Sequence, residues 1–329
     1  MTLFTPGNLS LTMSLLNVSS TNATLKLQAG QDIQLMSAVA KGNVQINAGE
    51  GVQIATASSG SGSLSLTSDA GLIKAQNLFA LNGAVLKSTA GDLNINNLTV
   101  SAGSSQLDAG NSIYLGSLRS SGTVDLTAGT DLTASDLTST AAGLYVDVRN
   151  GSLNVGNASA KTALVAQALA GNLSVGAYTA DTASLEASTD VSLKSGTVTK
   201  GITVSAGRNA SLGTMTSVTD KAKATALANL SAVLVKGASV ELAAGTGLTA
   251  SNLISTNAKV DAVSTVGSVK IGTATVKSVF NANAVAGDLS VGTFTAASAA
   301  LFSGNDMVLN TGTTVGNFTA DSKGGAYLG

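Results

Sequence analysis

Apolar and small polar residues alternate over runs of three to five positions through almost the whole chain, the period of a strand with one face buried. The runs come in pairs. LKLQAGQDIQL (Leu25 to Leu35) places one apolar-x-apolar pair on each side of an Ala-Gly corner, and VQINAGEGVQI (Val44 to Ile54), SQLDAGNSIYL (Ser105 to Leu115) and VDLTAGTDLTA (Val124 to Ala134) repeat it. The anchoring glycines are Gly30, Gly49, Gly71, Gly91, Gly110, Gly129, Gly151, Gly171, Gly207, Gly245, Gly267, Gly287 and Gly304. Two gaps, of 36 and 38 residues, are about twice the others. Counting each as two, the 274 residues from 30 to 304 hold fourteen units averaging 19.6. One missing anchor falls in LEASTDVSL (Leu185 to Leu193), the other near residue 226.

A longer repeat overlies the short one. Shifting the chain by 116 residues aligns 122–187 with 238–303 without a gap, with 30 of 66 positions identical, among them AGNLSVG (Ala170 to Gly176) on AGDLSVG (Ala286 to Gly292). Because 116 is close to six units, whole units are preserved, as a solenoid whose coils touch only their neighbours permits. Two or three short strands per unit of roughly 20 residues predict an all-β parallel β-helix, a single continuous solenoid over 1–329 with about 16 coils of 19–20 residues. At about 4.8 Å per coil this would be a rod about 75 Å long. Lys221 to Leu230, KAKATALANL, is Ala-rich and admits a short helical insertion at 221–230. The anchor glycines are expected to supply positive φ at tight corners. Asp32, Asp92, Asn111, Asp131, Asn172, Asn209, Asp288 and Asp306 follow them closely and are expected to cap turns or stack in ladders between coils.

Composition removes most chemistry. The 329 residues hold 37 Gly, one Pro and ten aromatics, with no Cys, His or Trp. Thiol nucleophiles, His-based triads and the usual soft-metal ligands are absent. Seventeen basic against eighteen acidic residues, 11% of the chain, leave no basic surface for nucleic acid. The GGxGxD pattern of calcium-binding β-helices does not occur, and turn chemistry accounts for the Asp series better than a metal. Residues 1–20 carry no Lys or Arg, so the segment does not read as a secretory signal, and no run approaches 18 apolar residues.

The unit with Ala-Gly at a corner flanked by alternating aliphatics resembles the filamentous-haemagglutinin family of two-partner secretion exoproteins, which includes adhesins and the stalks of contact-dependent inhibition toxins. The resemblance runs from Leu9 to about Leu328. It implies a right-handed parallel β-helix, export through an outer-membrane transporter, and location on the bacterial cell surface as an adhesive or spacer fibre, with a host or bacterial surface receptor or glycan as partner. The family's secretion domain carries Asn-Pro-Asn motifs; the single proline here, Pro6, lies in TPGN. The resemblance therefore points to interior shaft, with the transporter contacted through a region outside this sequence. Neither end offers an evident cap, so end-to-end association into a filament or sheath is the alternative.

Other readings are weaker. A polysaccharide-acting enzyme needs clustered carboxylates or cations. The arginines are Arg119, Arg149 and Arg208; acids one coil apart, such as Asp108 against Asp125 to Asp131, could meet in space. No catalytic residue, metal ligand or cofactor is assigned, and the binding residues are left unknown. Tyr178 and Phe294, equivalent across the duplication, with Phe302 and Phe318, read as an interior or corner stack before a sugar platform. Asn8, Asn17, Asn22, Asn97, Asn157, Asn172, Asn209, Asn229 and Asn317 begin Asn-x-Ser/Thr triplets. An ice-binding face would need Thr at one fixed position per coil, which the sequence does not show; Thr-x-Thr columns on one face would reopen it.

Overall fold

The computed structural model describes residues 2–7, 9–10, 17–21 and 23–329. Residues 11–16 of the strand-like opening Leu9 to Ser20, and the triplet asparagines Asn8 and Asn22, lie outside that set. The fold is an all-β parallel solenoid of about 16 turns, as the repeat predicts. The chain divides into two compact units, Met1–Ala170 and Gly171–Gly329, each taken by itself below. Within each unit a turn contributes one short strand, such as Ser104–Ala109, and one long strand, such as Leu93–Val100. Short strands pair with short and long with long, always parallel, so each unit carries two sheets. Register partners lie 18 residues apart at the closest (Leu173↔Val191), 21 in turns such as Leu248↔Val269, and 24 in the first turn (Thr2↔Lys26).

Alternation selects the inward side. In the short strands of unit 1, Leu27, Ile46, Leu66, Leu86, Leu107 and Leu126 form one fully buried column in register. Each such side chain contributes roughly 1.5–3 kcal/mol by leaving water. The long strands break the alternation once. Leu93, Ile95, Leu98 and Val100 point inward, whereas Asn96 and Asn97 both face out, and the ladder passes over Asn96. Two consecutive outward residues violate the period of two, so the strand bends there. Each turn thus shows three faces, the short strand and two arms of the long one.

The corners give a different account of the glycines. No described residue, glycine included, has a positive φ. Gly is required because the corner backbone lies against the preceding turn: a Cβ at Gly49 would stand 2.1 Å from the Gly30 carbonyl oxygen, and one at Gly129 would stand 1.8 Å from that of Gly110. Corners of three residues (Gly30 to Asp32) and of four (Thr89 to Asp92) both occur between short and long strands, which is why the anchor spacing varies. Opposite corners are closed by buried serines. Ser59, Ser120, Ser139 and Ser255 donate to the carbonyls of Gly42, Gly103, Gly122 and Ala238 at 2.7, 2.7, 2.8 and 2.7 Å.

No helix forms at 221–230. Lys221–Ala226 is a short strand and Leu230 lies in the next long one. Alanine at every second position makes the segment period two as well as helix-prone, and stacking decides: Ala222, Ala224 and Ala226 are buried, while Lys221 and Lys223 face out toward Glu241. The duplication also preserves a packing device. Tyr178 and Phe294 point inward, and their register partners one turn on are Gly196 and Gly312. A Cβ at Gly196 would lie 1.8 Å from the Tyr178 ring and one at Gly312 2.3 Å from that of Phe294, so each large ring fills the space the next turn leaves.

Candidate functional site

The Asp and Asn residues singled out after the glycines form a ladder down one corner of each unit. At many turns an Asp or Asn at the start of the long strand accepts, through its side chain, the backbone N–H of its counterpart one turn later. Asp32 takes Gly51 (2.9 Å), Asp92 takes Ser112 (2.9 Å) and Asp131 takes Ser152 (2.8 Å). In unit 2 the series runs Asn172 to Asp190 (3.2 Å), Asp190 to Asn209 (3.1 Å) and Asn209 to Asn229 (3.3 Å), then Asp288 to Asp306 (3.2 Å). Asn111 instead donates its amide to the Ala90 carbonyl at 3.0 Å. The ladder neutralises backbone donors that a corner would leave unpaired. Asp190, absent from the sequence series because its turn lacks the anchor glycine, is the most engaged member. Arg208 binds both of its oxygens, and this pairing, with the Asn209 bonds, holds the carboxyl far below the usual range.

Among the described residues the other carboxylates do not assemble into an acid–base pair. Asp108 is in register with Thr127, and Asp125 with Tyr145. Glu241 and Asp261 are register neighbours. Glu241 bonds Lys221 (2.8 Å) and Lys223 (3.0 Å), which lower its pKa; Asp261 pairs with Lys259 (2.6 Å) and accepts from Asn281 (2.7 Å). A general acid needs a raised value. Among the described residues no group of three acidic side chains could hold a metal.

Of the aromatics, Tyr178 and Phe294 are core, and Phe294 contacts Phe280 (5.5 Å) and Phe318 (5.9 Å). Phe302 belongs to the outer face, with Lys323 5.8 Å over its ring. The amides of Asn97 and Asn157 are bonded across turns to Asn77 and Asp136, and those of Asn172, Asn209 and Asn229 belong to the corner ladder. Threonine recurs at fixed positions over short runs in unit 2, but not once per turn. Thr273 and Thr275 stand in register with Thr293 and Thr295, then with Thr311 and Thr313. Thr179, Thr197 and Thr216 form a second run. Leu234 with Lys236 and Asn252 with Ile254 separate the two, so no unbroken Thr lattice covers the face.

Among the outward aromatics that the sequence reading does not single out, Tyr114 is 44% exposed, Tyr145 40% and Phe79 37%. Tyr114 occupies a groove on the long-strand sheet of unit 1, with Lys74, Gln76, Asn94, Asn96 and Thr133. Strand phase is the signal that would have found it, since it is the second residue of its strand and Tyr178 the sixth. Compared with protein-family models, curated proteins and solved structures, the chain matches none.

Proposed function

We propose that this chain is a structural shaft of a secreted bacterial cell-surface exoprotein of the filamentous-haemagglutinin kind, acting in adhesion or cell-to-cell contact and exported by an outer-membrane two-partner transporter. The observation that carries the reading is the repetition itself: within each unit successive turns bond to one another along both sheets, and the corner Asp and Asn side chains take part in that stacking. Such a design supplies rigidity and lateral surface. A non-enzymatic role agrees with Glu241 and Asp261 each being held in ion pairs with lysines.

The alternative is a subunit that assembles end to end. Negative-stain electron microscopy across a concentration series separates the two. A shaft segment gives elongated particles of one length at every concentration. Filaments that lengthen with concentration establish self-assembly instead, and compact particles defeat both.

A further inference from the structure

The groove around Tyr114 has a volume of about 450 Å³ and lies wholly in unit 1. Lys74, Asn94, Tyr114 and Thr133 follow one another in register along it, one per turn, with Gln76 and Asn96 at the strand bend beside them. A second hollow of about 290 Å³ meets it at Lys74 and is walled by Asp32, Gln34, Glu50 and Gln53, so its two carboxylates confine an anionic ligand to the Tyr114 side.

The groove's polar groups are not used by the fold. Asn77 and Asn97, next door, bond each other at 2.9 Å, whereas the amides of Gln76, Asn94 and Asn96 take no partner among the described residues. Lys74 forms no ion pair there either. The strand backbones beneath are committed to turns on both sides, so a peptide cannot add as a further strand on this face.

We infer that this groove binds a linear polysaccharide containing uronate sugars. The Tyr114 ring offers an apolar face with a polar tip, suited to the C–H face of a pyranose. Side-chain amides each carry donors and an acceptor for adjacent ring hydroxyls. The Lys74 ammonium is placed for a sugar carboxylate, a charge-assisted bond. The rise of one turn, about 4.8 Å, is close to the length of one pyranose residue, so a chain lying across the turns meets the side chains in step. The assignment rests on the reading of this protein as a surface-exposed shaft and names what its side surface would hold.

Titration calorimetry of the full chain with hyaluronan hexasaccharide and with neutral cellohexaose tests it. The expected result is saturable binding of hyaluronan, weakened about tenfold, or roughly 1.4 kcal/mol, by Tyr114→Ala. Lys74→Gln should bring hyaluronan down to the weaker affinity of cellohexaose. Both side chains are exposed, so both variants should melt like the parent. Absence of saturable hyaluronan binding, or binding unchanged by Tyr114→Ala, overturns the assignment. Particle length in the microscope does not depend on the groove, so the shaft reading stands or falls separately.

Discussion

Tyr178 is 2% exposed, and its hydroxyl has no hydrogen-bond partner in the protein interior. Burial pushes its pKa above the ordinary phenol value, so the group stays neutral, but its lost hydration is uncompensated. The duplication supplies the remedy, because Phe294 fills the equivalent position with the same ring and no hydroxyl. Tyr178→Phe should therefore raise stability by about 1 kcal/mol, read as a higher denaturant midpoint; a lower midpoint would show that the hydroxyl is bonded. Asp190 behaves in the opposite sense. Its carboxyl is depressed in the folded chain, so its contribution is complete above the unfolded value of about pH 4 and is lost as pH falls through the lower folded value. Asp190→Asn should lower the melting temperature modestly at pH 7, with the gap to the parent closing as pH drops below about 3. A gap independent of pH would mean that the Arg208 pairing does not matter.

At the level of strands and corners, most of the architecture is readable in the alternation of LKLQ and VQIN and in the glycine spacing. What escaped reading depends on contacts between turns. The glycines look like φ switches in one dimension, but at Gly49 and Gly129 it is the previous turn's carbonyl that excludes a Cβ. Lys221–Ala226 has helix-forming composition, and only its neighbours on both sides make it a strand. The groove was the least legible part, since Tyr114 and Tyr178 differ by strand phase, which the bend at the fourth and fifth positions obscures. The duplication yields a test at this scale. Deleting 122–237, the 116 residues between equivalent positions, joins Ser121 to Ala238 and restores register. That variant should keep a β-rich circular dichroism spectrum and melt cooperatively, whereas deleting 122–227 leaves the turns about half a coil out of step and should abolish the transition. Equal behaviour of the two would contradict turn-by-turn stacking.

Across the molecule, surface charge has little part in holding the chain together. The ion pairs in the structure, such as Lys200 with Asp181 at 3.7 Å, are solvent-exposed and worth little individually. Stability instead accumulates from turn-on-turn contacts, a nearly one-dimensional sum that suits a scaffold offering lateral surface. That account stands on the register within each unit, and the absence of cysteine makes the register directly measurable. Asn77, Asn97 and Ser117 occupy successive turns at one exposed position. Cysteine pairs at 77 and 97, about 4.8 Å apart by strand spacing, should be joined by a short thiol-bridging reagent in the folded protein, and pairs at 77 and 117, about 9.6 Å apart, should not. The same contrast should hold in unit 2 for 273 with 293 against 273 with 311. Bridging of the distant pairs as readily as the near ones, in protein that retains its β spectrum, would contradict the stacked register and the scaffold built on it.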